Sequence, residues 1–179
     1  MSIFKRIGSI MRSNKELPAA PSRNPYEDSQ IGDIVNVDLE QYVITGKVIY
    51  FDRGYAPHRF AYYLQSGRKI SCLLVEKGRN YECFLCDFLE GSLNDPEEVP
   101  NRLDIDGDSE FQLDHQRTDL TRVEGNTDFR SGDDLMFWRY YGISGNPDEY
   151  FFLQWQDGRF VAMRGEQTSS AQVKFMSSR

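Results

Sequence analysis

The chain has 179 residues, enough for one domain with a real core or for two small lobes sharing one. Its formal charge of −7 is uneven: residues 1–15 hold Lys5, Arg6, Arg12 and Lys15 and no acid, leaving 17 basic against 28 acidic residues beyond them. So acidic a body repels phosphate backbones and argues against nucleic-acid binding. An aromatic content of 13 % argues against disorder and suits sheet packing.

At the N-terminus Ile3, Phe4, Ile7, Ile10 and Met11 fall at helical spacing, which predicts a short amphipathic basic helix over residues 1–15. Phe4, Lys5, Arg6, Ile7 and Arg12 are the candidate docking residues, for a protein partner or an anionic membrane surface. A helix that merely caps the domain's own core has the same pattern. Residues 16–29 contain Pro18, Pro21 and Pro25 and read as a semi-extended linker. The N-terminal apolar stretch is too short and charged for a signal sequence, and no long apolar run occurs elsewhere. A cytoplasmic protein with three reduced cysteines and no cofactor is the expectation.

From residue 30 to 179 the pattern is that of an antiparallel β domain. Val35 and Val37 alternate with Asn36 and Asp38, Tyr42 to Phe51 is interrupted by Gly46, and Ala56 to Arg59 reads as a loop. Phe60 to Gln65 and Arg68 to Val75 flank Ser66-Gly67, a hairpin signal. Tyr81 to Leu89 fits a strand or a helix. Pro96 and Pro100 bracket a loop, and Asp106-Gly107 predicts a hairpin between Leu103–Ile105 and Phe111–Leu113. A weaker strand is predicted over Thr121–Asn126, and further strands over Leu135–Tyr141, Tyr150–Gln156, Arg159–Met163 and Val173–Met176. The expected fold is a sandwich or a partly open barrel.

The two stretches 30–92 and 101–179 share an order of motifs. Gly32-Asp33 is answered by Gly132-Asp133, Tyr62-Tyr63-Leu64-Gln65 by Phe151-Phe152-Leu153-Gln154, and Gly67-Arg68 by Gly158-Arg159. A duplication and the chance likeness of Gly-turned hairpins both explain this.

Chemistry-bearing patterns are weak. Cys83 and Cys86 have CxxC spacing, with Cys72 elsewhere, but Phe84 and Leu85 between them suit a strand, on which the two thiols face opposite sides. Buried structural thiols fit better than a zinc knuckle. Asp104, Asp106 and Asp108 have the spacing of a calcium loop, yet Ser109 and His115 stand where Gly and Glu are needed. No nucleophile elbow, P-loop or dinucleotide fingerprint occurs, so no catalytic residue is assigned. The aromatic runs around Trp138, Tyr140, Phe152 and Trp155 fit core packing, or a groove for a ligand or peptide.

Ile31-Gly32-Asp33-Ile34-Val35, Tyr42-Val43-Ile44-Thr45-Gly46-Lys47-Val48-Ile49-Tyr50, Tyr63-Leu64 and Tyr150 to Trp155 with Gly165 together resemble the bacterial family called domain of unknown function 4178. The resemblance covers about residues 30–176 and departs at Phe60-Ala61-Tyr62-Tyr63, where the family has Trp-Glu-Tyr. It implies a bacterial cytoplasmic β protein and transfers no catalytic residue. The leading expectation is a non-catalytic binding or scaffolding module that docks through its N-terminal helix; the alternative is a ligand-binding protein or enzyme with an aromatic cleft around Trp138 and Trp155.

Overall fold

Runs of β-branched and aromatic residues between Gly and Asp turns produce eleven antiparallel strands in the computed structural model, which describes residues 23–91 and 93–178. The expected helix at 1–15 lies outside those residues. Within the expected linker one helical turn forms, α1 (Pro25–Asp28), with Asn24 accepting from the Tyr26 amide as its N-cap and proline in the first turn. The strands are β1 (Ile34–Val37), β2 (Glu40–Phe51), β3 (Pro57–Ser66), β4 (Lys69–Lys77), β5 (Tyr81–Leu89), β6 (Arg102–Ile105), β7 (Ser109–Gly125), β8 (Asp134–Gly142), β9 (Glu149–Gln156), β10 (Arg159–Thr168) and β11 (Val173–Met176).

Three expectations are corrected. Pro57, His58 and Arg59 are strand residues, because they continue the β3 ladder against β2 and β4. Ser66 pairs with Lys69, so the hairpin loop is Gly67-Arg68, with Gly67 supplying the positive φ. The weak strand at 121–126 is the end of the 17-residue β7.

The sheet order is β11-β1-β2-β3-β4-β5-β10-β9-β8-β7-β6, and β2 also pairs with β7. That pairing closes eight strands into a ring, β2-β3-β4-β5-β10-β9-β8-β7, so the fold is a closed antiparallel barrel with a flap on each side. β2 makes the switch itself: residues 40–43 pair with β1 and residues 46–51 with β7. β7 does the same, leaving β6 after Gln112 and joining β2 at Leu120. Strands β2–β5 and β7–β10 thus follow one another as neighbours in the same way. The matched motifs are out of step with this topology, the Gly-Asp pair by two strands and the Gly-Arg turn by one. Gly32-Asp33 precedes β1 but Gly132-Asp133 precedes β8, and Gly67-Arg68 joins β3 to β4 whereas Gly158 joins β9 to β10.

The barrel lumen is filled. Val48, Tyr50, Tyr63, Leu74, Phe84, Phe137, Phe152 and Met163 meet inside it, and Phe129 from the β7–β8 loop plugs one end. Two further cores lie outside the ring. The flap of β1, β11 and α1 covers Ile44, Phe60, Tyr62, Leu64, Leu73 and Val75. On the other side β6, the start of β7, Leu89, Leu93 and Val99 cover Trp138, Tyr140, Phe151 and Leu153. Strands between two cores are buried on both faces, which is why 59–64 of β3, 71–75 of β4 and 151–154 of β9 are continuously buried.

At the switch point a Cβ on Gly46 would lie 1.9 Å from the Asn126 carbonyl oxygen. Gly46→Ala should therefore cost about 3 kcal/mol in urea unfolding, from overpacking against backbone. At the β1–β2 turn Leu39 has φ +73° and its side chain is fully exposed. Leu39→Gly should raise stability by about 1 kcal/mol by the same measurement, since glycine tolerates this conformation.

Candidate functional site

The end of the lumen opposite the Phe129 plug is not apolar. Strand alternation carries Arg59 of β3, Glu76 of β4, Asp119 of β7 and Arg139 of β8 inward, one or two positions beyond the aromatic layer. The Arg59 side chain is 3 % exposed; its Nε lies 3.1 Å from Glu76 Oε1 and its Nη1 3.2 Å from Asp119 Oδ2. Its guanidinium stacks 3.5 Å from the centre of the Phe137 ring. Glu76 Oε2 accepts from Arg139 Nη1 at 2.6 Å, and Arg139 also faces Asp114 at 3.2 Å and Glu82 at 3.6 Å. Asp119 is fully buried. Its Oδ1 lies 2.8 Å from His58 Nε2 and accepts from Arg117 Nε at 2.8 Å, while Arg117 Nη2 reaches Asp52 at 2.8 Å.

Burial alone would raise the Asp119 carboxyl, but His58, Arg59 and Arg117 outweigh it and hold its pKa below the ordinary value. For Arg139, burial opposes the charge, and Glu76, Asp114 and Glu82 more than restore it.

Two kinds of chemistry could be drawn from this end. Asp52, His58 and Asp119 bring ligand atoms within 4.8 Å of one another, the spacing of a cation site. Arg117 already bridges both carboxylates, however, so its guanidinium neutralises the charge a metal would meet. His58 with Asp119 also has the form of an acid–base dyad, yet among the described residues no hydroxyl or thiol bonds to His58. The network is a structural clamp joining β3, β4, β7 and β8. The sequence does not join His58 to Asp119, because no local motif links positions 61 residues apart.

A second polar anchor fixes where the N-terminal segment leaves the barrel. Lys47 is 4 % exposed, donates to the Glu27 and Ser29 carbonyls at 2.6 and 3.0 Å, and lies over the Phe60 and Tyr62 rings. Burial lowers its pKa, against the opposing pull of Glu124 and Asp28. Tyr26 stacks on Tyr81 at 4.7 Å, and Tyr81 bonds to Glu27. Arg23 Nη2 pairs with Asp33 Oδ2 at 2.6 Å and also donates to the Asp28 carbonyl.

The sequence-predicted residues do not converge. Trp138 and Tyr140 are buried in the core beneath Leu93, Val99 and β6, and Trp155 lies half-buried against it. Phe152 faces the lumen, on the other side of β9. The four therefore form no common groove, because neighbouring positions alternate across the strand. Cys72 and Cys86 are cross-strand partners inside the lumen, whereas Cys83 belongs to the flap core, so the three thiols cannot share one ion. Burial pushes the Cys83 thiol up to about 12 and the other two higher still, as inert structural thiols require. Phe4, Lys5, Arg6, Ile7 and Arg12 lie outside the described residues. No helix among those residues is long and apolar enough to cross a membrane.

These features define a closed β barrel with a packed, ion-clamped interior. The chain belongs to the family described as Domain of unknown function (DUF4178), whose model matches residues 30–170. No curated protein and no solved structure matches it.

Asp119→Asn leaves the buried Arg59 and half-buried Arg117 guanidiniums short of a counter-charge, and should cost about 3–5 kcal/mol in chemical denaturation at pH 7. The Asp119 pKa is lower in the folded state than the ordinary 3.8. Its contribution is thus complete above about pH 5 and lost as pH falls through the folded value. Stability profiles of the variant should be flatter than wild type below pH 4.

Proposed function

We propose that this chain is a non-catalytic binding module of the cytoplasm that docks on a protein partner through its basic N-terminal segment. The observation carrying this reading is the filled lumen. Barrels that bind small molecules keep an interior cavity, and here thirteen buried side chains occupy that space between the Phe129 plug and the Arg59–Asp119 clamp. Recognition then falls to the surface and to the appended segment. The anchoring of Arg23, Asn24 and Tyr26 supports this, since it gives residues 1–22 a fixed point of attachment. Candidate docking residues remain Phe4, Lys5, Arg6, Ile7 and Arg12, whose spacing puts an apolar and a basic face on one short helix. A ligand or enzyme cleft around Trp138 and Trp155 has less support, because Trp138 is 1 % exposed.

The test compares the full chain with a variant carrying Lys5→Glu, Arg6→Glu, Arg12→Glu and Lys15→Glu. Proteins retained from extract by the wild type should fall at least tenfold on the variant, with unchanged thermal unfolding. Equal retention by both chains sinks the proposal. Loss of binding to anionic vesicles with no loss of any protein would transfer the role to a membrane surface.

A further inference from the structure

The described outer surface has a row of four apolar residues, broken by one exposed glutamine, that the cores do not explain. Met176, Ile34, Val43, Gln65 and Ile70 are successive cross-strand partners from β11 through β1, β2 and β3 to β4, so they share one face of the sheet. Met176 is 41 %, Val43 43 % and Ile70 50 % exposed, while Ile34 is half-buried. Isolated exposed apolar side chains are common, but a register-aligned row is a stripe. At Ile70 the stripe opens into a groove of about 510 Å³, lined by Phe88 and Phe160 with Asp128 and Arg159 among its polar residues.

We infer that this stripe is the docking site, within the same molecule, for the apolar face of residues 3–11. Three observations select that occupant. The chain enters the described structure at the stripe's edge, because Arg23 pairs with Asp33 next to Ile34 and lies 3.4 Å from Ser177 Oγ next to Met176. Residues 3–11 carry five apolar side chains at helical spacing, and their helix would be about 13 Å long. The stripe spans four strand spacings, about 19 Å. Residues 12–22 can reach about 36 Å, so the tether covers any point on it. Charge decides between this segment and a second copy. Beyond residue 15 the chain carries −11, so two bodies repel, whereas the segment bears four basic residues and no acid. In the free protein the stripe would shield the segment's apolar face, and a partner would have to displace it. The inference shares its segment with the proposed function, but it stands or falls without a partner.

The test uses the full chain with Ile7→Cys and Ile70→Cys under mild oxidation by oxidised glutathione at low protein concentration. The three native cysteines are buried and do not compete. The control places the second cysteine at Arg122, which lines a depression with Arg23 but lies off the stripe. An intramolecular disulfide should form at least tenfold faster at Ile70 than at Arg122. Adding Phe4→Asp and Ile10→Asp should bring the rate down to the control. Equal rates at the two positions overturn the inference, and a disulfide-linked dimer assigns the stripe to a second copy instead. No partner is present in this assay, so its outcome is independent of the retention test.

Discussion

Closure of the barrel depends on one short ladder, the antiparallel pairing of Gly46–Phe51 with Leu120–Gly125. Without it, eleven strands would form an open sheet whose two halves meet only at β5 and β10. Two glycines make the ladder possible. Gly46 faces Gly125 at one end of the ladder, and a Cβ on either would strike backbone. Each strand brings its own hairpin to this meeting, β1 with β2 and β6 with β7. The flaps over both outer cores are therefore continuous with the strands that close the ring.

Because the ring has a core on each side, its walls serve two cores at once. Leu74 packs into the lumen and Leu73 into the flap core, one residue apart on the same strand. The ion clamp has to be understood in this setting. Four charged groups enter the lumen where Tyr50, Phe137 and Phe84 end, and they remain tolerable because each finds an opposite charge and the two arginines also lie over aromatic faces. Removal of any one leaves its partners with one counter-charge fewer in a largely buried space.

Much of the β character was legible from residue order alone. Val35 and Val37 alternate as a half-buried strand should, and Asp106-Gly107 turns a hairpin as its chemistry demands. The continuous apolar runs of β3 and β4 announced strands but not what covers their second faces, which is settled by distant segments. The clamp was invisible for the same reason. His58, Asp119 and Arg139 come from three strands, and nothing in their local sequence distinguishes them from surface charges. Pro57 and His58 read as loop because proline usually leaves a ladder; here proline is the first residue of β3 and its missing N–H falls at a register shift against Phe51. Of the two readings of the aromatic runs, core packing describes Trp138, Tyr140 and Phe152, since alternate strand positions face opposite cores.

The sheet order has a consequence for how the molecule meets its neighbours. A sheet of eleven strands ends in two edges, β6 and β11, each four residues long. Both carry exposed charge, Arg102 and Asp104 on one and Lys174 on the other. An aromatic-rich β protein thus offers little backbone for a foreign strand to extend, which guards it against runaway polymerisation.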